Sequence, residues 1–166
     1  ELLQKVTKQN IWLHVSPHLI DLRERMQING QLVEQEVFVE ALNILYPAIQ
    51  TVADSFFWTP SYYETTPSLM YLIFAMKQVD YAIVEVWCGG LYDGTNVSGK
   101  AKYCIITKQW YDHMEIVGES MTEITRNDAG IITPWSTIIT LDHETETSNE
   151  IIDYRCKKQN AKKILF

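Results

Sequence analysis

Residues 81–86 read Tyr-Ala-Ile-Val-Glu-Val, an apolar run broken only by Glu85 and stopped soon after by Gly89-Gly90. A short run of this kind marks a strand buried on both faces, as in a parallel sheet covered by helices. Tyr103 to Thr107 is a second such run and Thr137 to Leu141 a third, with Ile11 to Val15 as a further short strand. Helical spacing fills the intervals. Val33, Val37, Phe38, Ala41, Leu42, Leu45 and Ile49 recur as one face of an amphipathic helix. A second helix is expected from near Pro67 to Gln78, with the proline in its first turn. Further helices are expected from Met114 to about Asn127 and from Thr147 to Lys158, the last packing through Ile151, Ile152 and Tyr154. Ser55 to Ser61 is aromatic and broken by proline. Ser16 to Gln31 is polar, carries the Asn29-Gly30 turn signal, and reads as a long surface loop with one helical turn. Strand, helix, strand, helix predicts an α/β fold: a mostly parallel, doubly wound sheet with helices on both faces and its sites at the carboxyl ends of the strands.

Charge limits the partners. Fourteen basic against 21 acidic residues leave a net charge of −7, which argues against non-specific binding to nucleic acid or to a membrane surface. Lys157, Lys158, Lys162 and Lys163 form a short basic run that reads as a solvated helix face rather than a binding patch. Three cysteines are too few and too scattered for a disulfide framework or a zinc site, and suit a reducing compartment. No window reaches the roughly 20 apolar residues of a membrane span. The 166 residues fit one domain or a piece of a larger one, and a start at Glu1 without an initiator Met suggests a piece. No signal-peptide pattern is present, so nothing argues for secretion; an intracellular place, cytoplasmic or mitochondrial, is expected.

The chemistry is expected around Glu85. Burying a carboxylate costs several kcal/mol unless it is paired or bound to a cation. Two readings follow: a strand-end Glu hydrogen-bonded to nearby backbone amides, or a metal ligand at the carboxyl end of a central strand. Asp112-His113 follows the next strand and brings a second candidate to the same edge. A lone His is more often structural, but two such groups on neighbouring strand ends point to a Mg²⁺ and phosphate site.

Three segments carry a resemblance to a known family. Ser16-Pro17-His18-Leu19-Ile20-Asp21-Leu22-Arg23-Glu24-Arg25-Met26-Gln27-Ile28-Asn29-Gly30-Gln31 resembles the folate-loop signature of folylpolyglutamate and dihydrofolate synthases, members of the Mur ligase superfamily. Val84 to Asn96 is similar to that family's Glu-Val-Gly-x-Gly-Gly-x-x-Asp-x-Thr-Asn motif, and the Tyr92-Asp93 pair is closer to the eukaryotic folylpolyglutamate form. Asp112 to Gly118, with Ala129 to Ile132, resembles the Asp-His-x-x-x-Leu-Gly helix and the following Lys-Ala-Gly-Ile segment. The likeness spans roughly residues 10 to 142 and implies part of a Mur-ligase central ATPase domain, monomeric in the family. It implies a ligase in which ATP phosphorylates the terminal carboxylate of a folate and the amine of glutamate attacks the acyl phosphate. By position it assigns Mg²⁺ ligation to Ser16, Glu85 and His113. Folate and phosphate contacts fall on the loop bearing Ser16, Pro17, His18, Arg23 and Arg25. The two arginines either fix the shape of that loop or are simply solvated.

Departures from the pattern bear on activity. The family's phosphate loop, Gly-Thr-Asn-Gly-Lys-Gly-Ser, should lie before Ser16, yet residues 1–15 contain no glycine, so ATP is expected to bind poorly. The family's second, carboxyl-terminal ligase domain has no counterpart in the chain. The lysine that many members carbamylate falls on Asp128, whose carboxylate has the same sign but a shorter reach. Trp87, Trp110, Trp135 and Trp12 stand where the pattern has glycine, and Lys108 and Gln109 replace small or apolar residues. Trp87 is expected to crowd the space beside Glu85, unless these indoles pack into cavities opened by other changes. Two classes of function stay open: a folylpolyglutamate synthase of which this chain is an inactive part, and a non-catalytic binding module. A dihydrofolate synthase is a third, which Tyr92 disfavours.

Overall fold

The computed structural model describes residues 2–143 and 145–166. The chain divides into two compact units, Glu1–Glu85 and Val86–Phe166. In the first, α1 (Leu2–Thr7) leads into β1 (Ile11–His14). A 3-10 turn (Leu22–Arg25) is followed by β2 (Met26–Ile28) and β3 (Gln31–Leu32), then by α2 (Gln35–Phe56), α3 (Tyr62–Lys77) and β4 (Tyr81–Val84). The sheet runs β3-β2-β1-β4. β1 and β4 are parallel, with Trp12 beside Ala82 and His14 beside Val84, while β2 and β3 continue antiparallel. Trp12, Met26, Val33 and Ala41 pack with Leu69, Met70, Ile73 and Phe74 of α3 into one core. Each such fully buried large side chain contributes about 1.5–3 kcal/mol.

Local signals set these elements. α3 starts five residues before Pro67 because Ser61 and Glu64 form a capping box, each side chain serving the other's backbone N–H. The segment read as a long loop with one helical turn has that turn, Leu22–Arg25, and adds the short strands β2 and β3. Asp21 and Glu24 form a second capping box, and the Asn29-Gly30 turn joins β2 to β3.

The second unit holds β5 (Tyr103–Ile106), α4 (Met114–Val117), α5 (Met121–Asp128), a 3-10 turn (Ala129–Ile131), β6 (Thr137–Thr140), α6 (Glu146–Gln159) and β7 (Lys162–Leu165). Its sheet, β5-β6-β7, is wholly parallel. Cys104, Ile106, Ala129, Ile132, Ile138, Ile152 and Cys156 form its core, so these two cysteines behave as small hydrophobes. Among the described residues parallel pairings outnumber antiparallel ones, as the α/β reading expects.

Three local expectations fail. Two of the three apolar runs have exposed positions: Tyr81 and Ile83 of β4 are exposed, and β5 alternates, with Tyr103 and Ile105 out and Cys104 and Ile106 in. Each strand is the last in its sheet, and an edge strand loses burial that a central strand would have. The helix expected over 114–127 is two. Gly118, at φ 131, ends α4, and Ser120 caps α5 with Glu123. The basic run is no single helix face. α6 stops at Asn160 in the left-handed region, and Lys162 and Lys163 belong to β7, where Lys163 pairs with Asp153.

Candidate functional site

In the first unit the parallel strands β1 and β4 deliver Ser16 and Glu85 side by side. Glu85 N–H donates to the His14 carbonyl at 3.0 Å, extending the ladder, and the Ser16 backbone N–H donates to Glu85 Oε2 at 2.5 Å. Two of the three expected metal ligands thus meet at the carboxyl ends of neighbouring parallel strands. Glu85 is itself exposed, so what marks the position is its contact with Ser16 and not the burial of a charge. The bond to a backbone amide is the contact that the non-metal reading foresaw.

The loop after Ser16 is held by its own side chains. Glu24 accepts the N–H groups of Leu19, Ile20 and Asp21 at 2.8, 3.0 and 2.8 Å, and these bonds keep its carboxyl below the usual carboxylate range. Arg23 grips Asp21, Nη2 to Oδ2 at 2.7 Å, and donates to the Val33 carbonyl at 3.3 Å. Arg25 is buried, its Nε 2.8 Å from His18 Nδ1 and its guanidinium 5.7 Å from the Tyr62 ring centre. Both arginines therefore shape the loop rather than trail in solvent. The Ser16–Pro17 peptide is cis, and Leu19 and Ile20 are exposed at the loop's tip.

In the second unit the Gly89-Gly90 loop is folded around Asp93. Its Oδ2 accepts the N–H groups of Trp87 and Cys88 at 3.2 and 3.0 Å, and its Oδ1 that of Thr95 at 2.9 Å. Asn127 fastens the same loop to α5, its Oδ1 accepting Gly90 and Leu91 N–H at 3.0 Å each. The approach is backbone on backbone: a Cβ on Gly90 would lie 2.7 Å from the Asp128 carbonyl oxygen, and one on Gly130 would lie 2.4 Å from Leu91 Cα. This is the close contact for which glycine is required. Asp93 was read from the sequence only as part of a motif, and neither it nor Asn127 was given a role, although an Asp two residues before a Thr, just past a Gly-Gly turn, is a signal for such a loop.

His113 stands at the amino end of α4 at φ 49, its Nε2 3.8 Å from Asp112 Oδ2, with both side chains largely exposed. Asp128, the last residue of α5, accepts from Gln109 Nε2 at 2.7 Å. Burial pushes its carboxyl above the usual range, against the pull of Gln109 and the charge of His143. Burial also raises the Cys88 thiol, with the Asp93 charge adding to it, so Cys88 is no ready nucleophile. Among the described residues no group of three or more His, Cys, Asp or Glu side chains could hold a metal ion. Among them, too, no helix is long and apolar enough to cross a membrane.

No protein-family model matches the chain. Curated relatives do. A folylpolyglutamate synthase of Arabidopsis thaliana is 38% identical over 119 residues, covering 72% of this chain and 21% of its own length. A mitochondrial folylpolyglutamate synthase of Bos taurus is 36% identical over 118 residues, 70% of this chain and 20% of its own. The chain belongs to the folylpolyglutamate synthase family. A solved folylpolyglutamate synthase in complex with AMPPCP and folate superposes with a TM-score of 0.88 at 22% identity, covering 99% of this chain and 40% of that one. That likeness shows the Mur-ligase fold, of which the chain spans a part. The chain spans about a fifth of the length of these two curated relatives.

The tryptophans expected to stand at glycine positions behave differently from one another. Trp12 is fully buried and packs on Phe74 with ring centres 4.1 Å apart. Trp110 and Trp135 are exposed and fill no cavity. Trp135 keeps the glycine-like backbone, at φ 64.

Proposed function

We propose that this chain is part of an ATP-dependent ligase that adds glutamate to a reduced folate through an acyl phosphate, and that by itself it does not complete the reaction. The observation that carries the reading is the meeting of Ser16 and Glu85 at the ends of β1 and β4, with the Ser16 N–H on Glu85 Oε2. A hydroxyl and a carboxylate are hard oxygen donors, so the pair fits Mg²⁺, with His113 as the third ligand by family position. The ion, when bound, would neutralise phosphate charge. The protein's share is to hold Glu85 by a backbone amide and to keep the loop bearing Pro17, His18, Arg23 and Arg25 in one shape through Glu24 and Asp21. The folate and AMPPCP, an ATP analogue, in the solved relative support folate and ATP as substrates, with glutamate the third. The whole protein is expected to be monomeric and to work in cytoplasm or mitochondrion, the latter in line with the bovine relative's name.

A second reading, a non-catalytic folate-binding or protein-binding module, is favoured by Trp135 at a glycine position and by Asp128 in place of the lysine. A dihydrofolate synthase shares the same motifs. Isothermal titration of the 166-residue chain with Mg-ATP and with a reduced folate tests the proposal. Folate binding without ATP binding is expected, and no glutamylated product when all substrates are supplied. Absence of folate binding, or a glutamylated product from this chain alone, would overturn it.

A further inference from the structure

Four side chains of the second unit form a hydrogen-bond chain with one direction, and it ends on Asp128. Thr125 Oγ1 lies 2.9 Å from Gln109 Oε1 and 2.7 Å from the Met121 carbonyl oxygen, both acceptors only. Its single hydrogen is committed to them. Ser148 Oγ, 3.0 Å away, must therefore donate to Thr125. With the serine hydrogen used, Thr145 Oγ1 donates to Ser148 at 2.8 Å, while the Ser148 backbone N–H returns to Thr145 Oγ1 at 3.1 Å as the cap of α6. The far end is equally constrained. A carboxylate can only accept, so Gln109 must turn its NH₂ toward Asp128 Oδ2 at 2.7 Å, which leaves Oε1 for Thr125. A flipped amide would set its oxygen against the carboxylate, so the Asp128 end fixes the orientation. Thr125 and Ser148 are buried, so water does not replace these partners cheaply.

We propose that Gln109 is a positioning residue for Asp128: it fixes the carboxylate at the carboxyl end of β5 and is itself oriented by the chain Thr145–Ser148–Thr125. The chemical role of Asp128 rests on the ligase reading; the hydrogen-bond chain does not. A short carboxylate standing at the family's lysine position then has one geometry instead of several rotamers. The charged and titratable groups felt around it are His143, which precedes α6, with Asp142 and Lys163 acting on that histidine in turn, and Cys88 on the Gly-Gly loop.

The test is a carbon-detected NMR titration of the Asp128 carboxyl in the 166-residue chain, without nucleotide or folate, so failure of the ligase reading leaves its outcome unchanged. Gln109→Leu removes the donor and is expected to raise the Asp128 midpoint by about one pH unit, a tenfold gain in proton affinity. Thr125→Val frees the amide and is expected to raise it by less, while Thr125→Ser restores the wild-type value. Backbone amide spectra check that each variant is folded, and if Gln109→Leu is not, the Val and Ser pair at Thr125 decides. An unmoved midpoint in folded Gln109→Leu, or identical midpoints in the two Thr125 variants, would overturn the proposal.

Discussion

Trp135 illustrates what a single side chain does when it occupies a glycine's backbone. Its φ of 64 lies in the left-handed region, where a Cβ crowds the following carbonyl at a cost of about 1–2 kcal/mol. The indole is 78% exposed and recovers little of that by packing. Trp135→Gly is therefore expected to stabilise the chain by about 0.5–1 kcal/mol once the added unfolded-state freedom of glycine is subtracted. A raised midpoint in urea unfolding checks it. Glu24 works in the opposite sense, since three backbone N–H groups favour its charged form and depress its folded pKa. A depressed carboxyl binds protons more weakly in the folded than in the unfolded state. Its stabilising share is thus complete above about 4.5, its ordinary value, and is lost as pH falls through the folded value. Amide exchange at Leu19, Ile20 and Asp21 should accelerate over that acid range in the wild type. In Glu24→Gln it should be fast already at neutral pH. Of the candidate residues named from the sequence, Ser16 and Glu85 are adjacent and Arg23 and Arg25 are engaged. Asn127 and Gln109 owe their importance to partners far along the chain, which no local pattern announces.

Elements were legible where a capping or turn signal agreed with the hydrophobic spacing, and misread where two short elements shared one spacing. The stretch after Met114 keeps a helical rhythm, yet Gly118 ends α4 and the Ser120–Glu123 box begins α5. A methyl group on Gly118 would lie 2.3 Å from Glu123 Cβ, and the φ of 131 is closed to other L residues. Gly118→Ala is expected to destabilise the chain by about 2–3 kcal/mol, read as a lowered melting temperature. β7 was missed because Lys162-Lys163 looks like a continuation of the charge on α6. Only the left-handed Asn160 and the parallel ladder to β6 reveal a strand there.

Among the described residues, each unit's sheet has an edge strand, β4 in one and β5 in the other. Exposed Ile83 and Ile105 sit on those edges, and unpaired edges with apolar side chains are templates for association. The 166-residue chain is expected to self-associate with rising concentration in sedimentation experiments. Ile83→Lys with Ile105→Lys should suppress this with a stability change within about 0.5 kcal/mol, because neither side chain is buried. Local sequence determined the alternation of strands and helices and the family motifs, since these follow from periodicity and from signals between near neighbours. Tertiary structure alone decided which apolar strands are covered, which tryptophans pack, and which carboxylate meets which amide. Burial and hydrogen bonding depend on residues tens of positions apart, and a one-dimensional pattern does not bring those together.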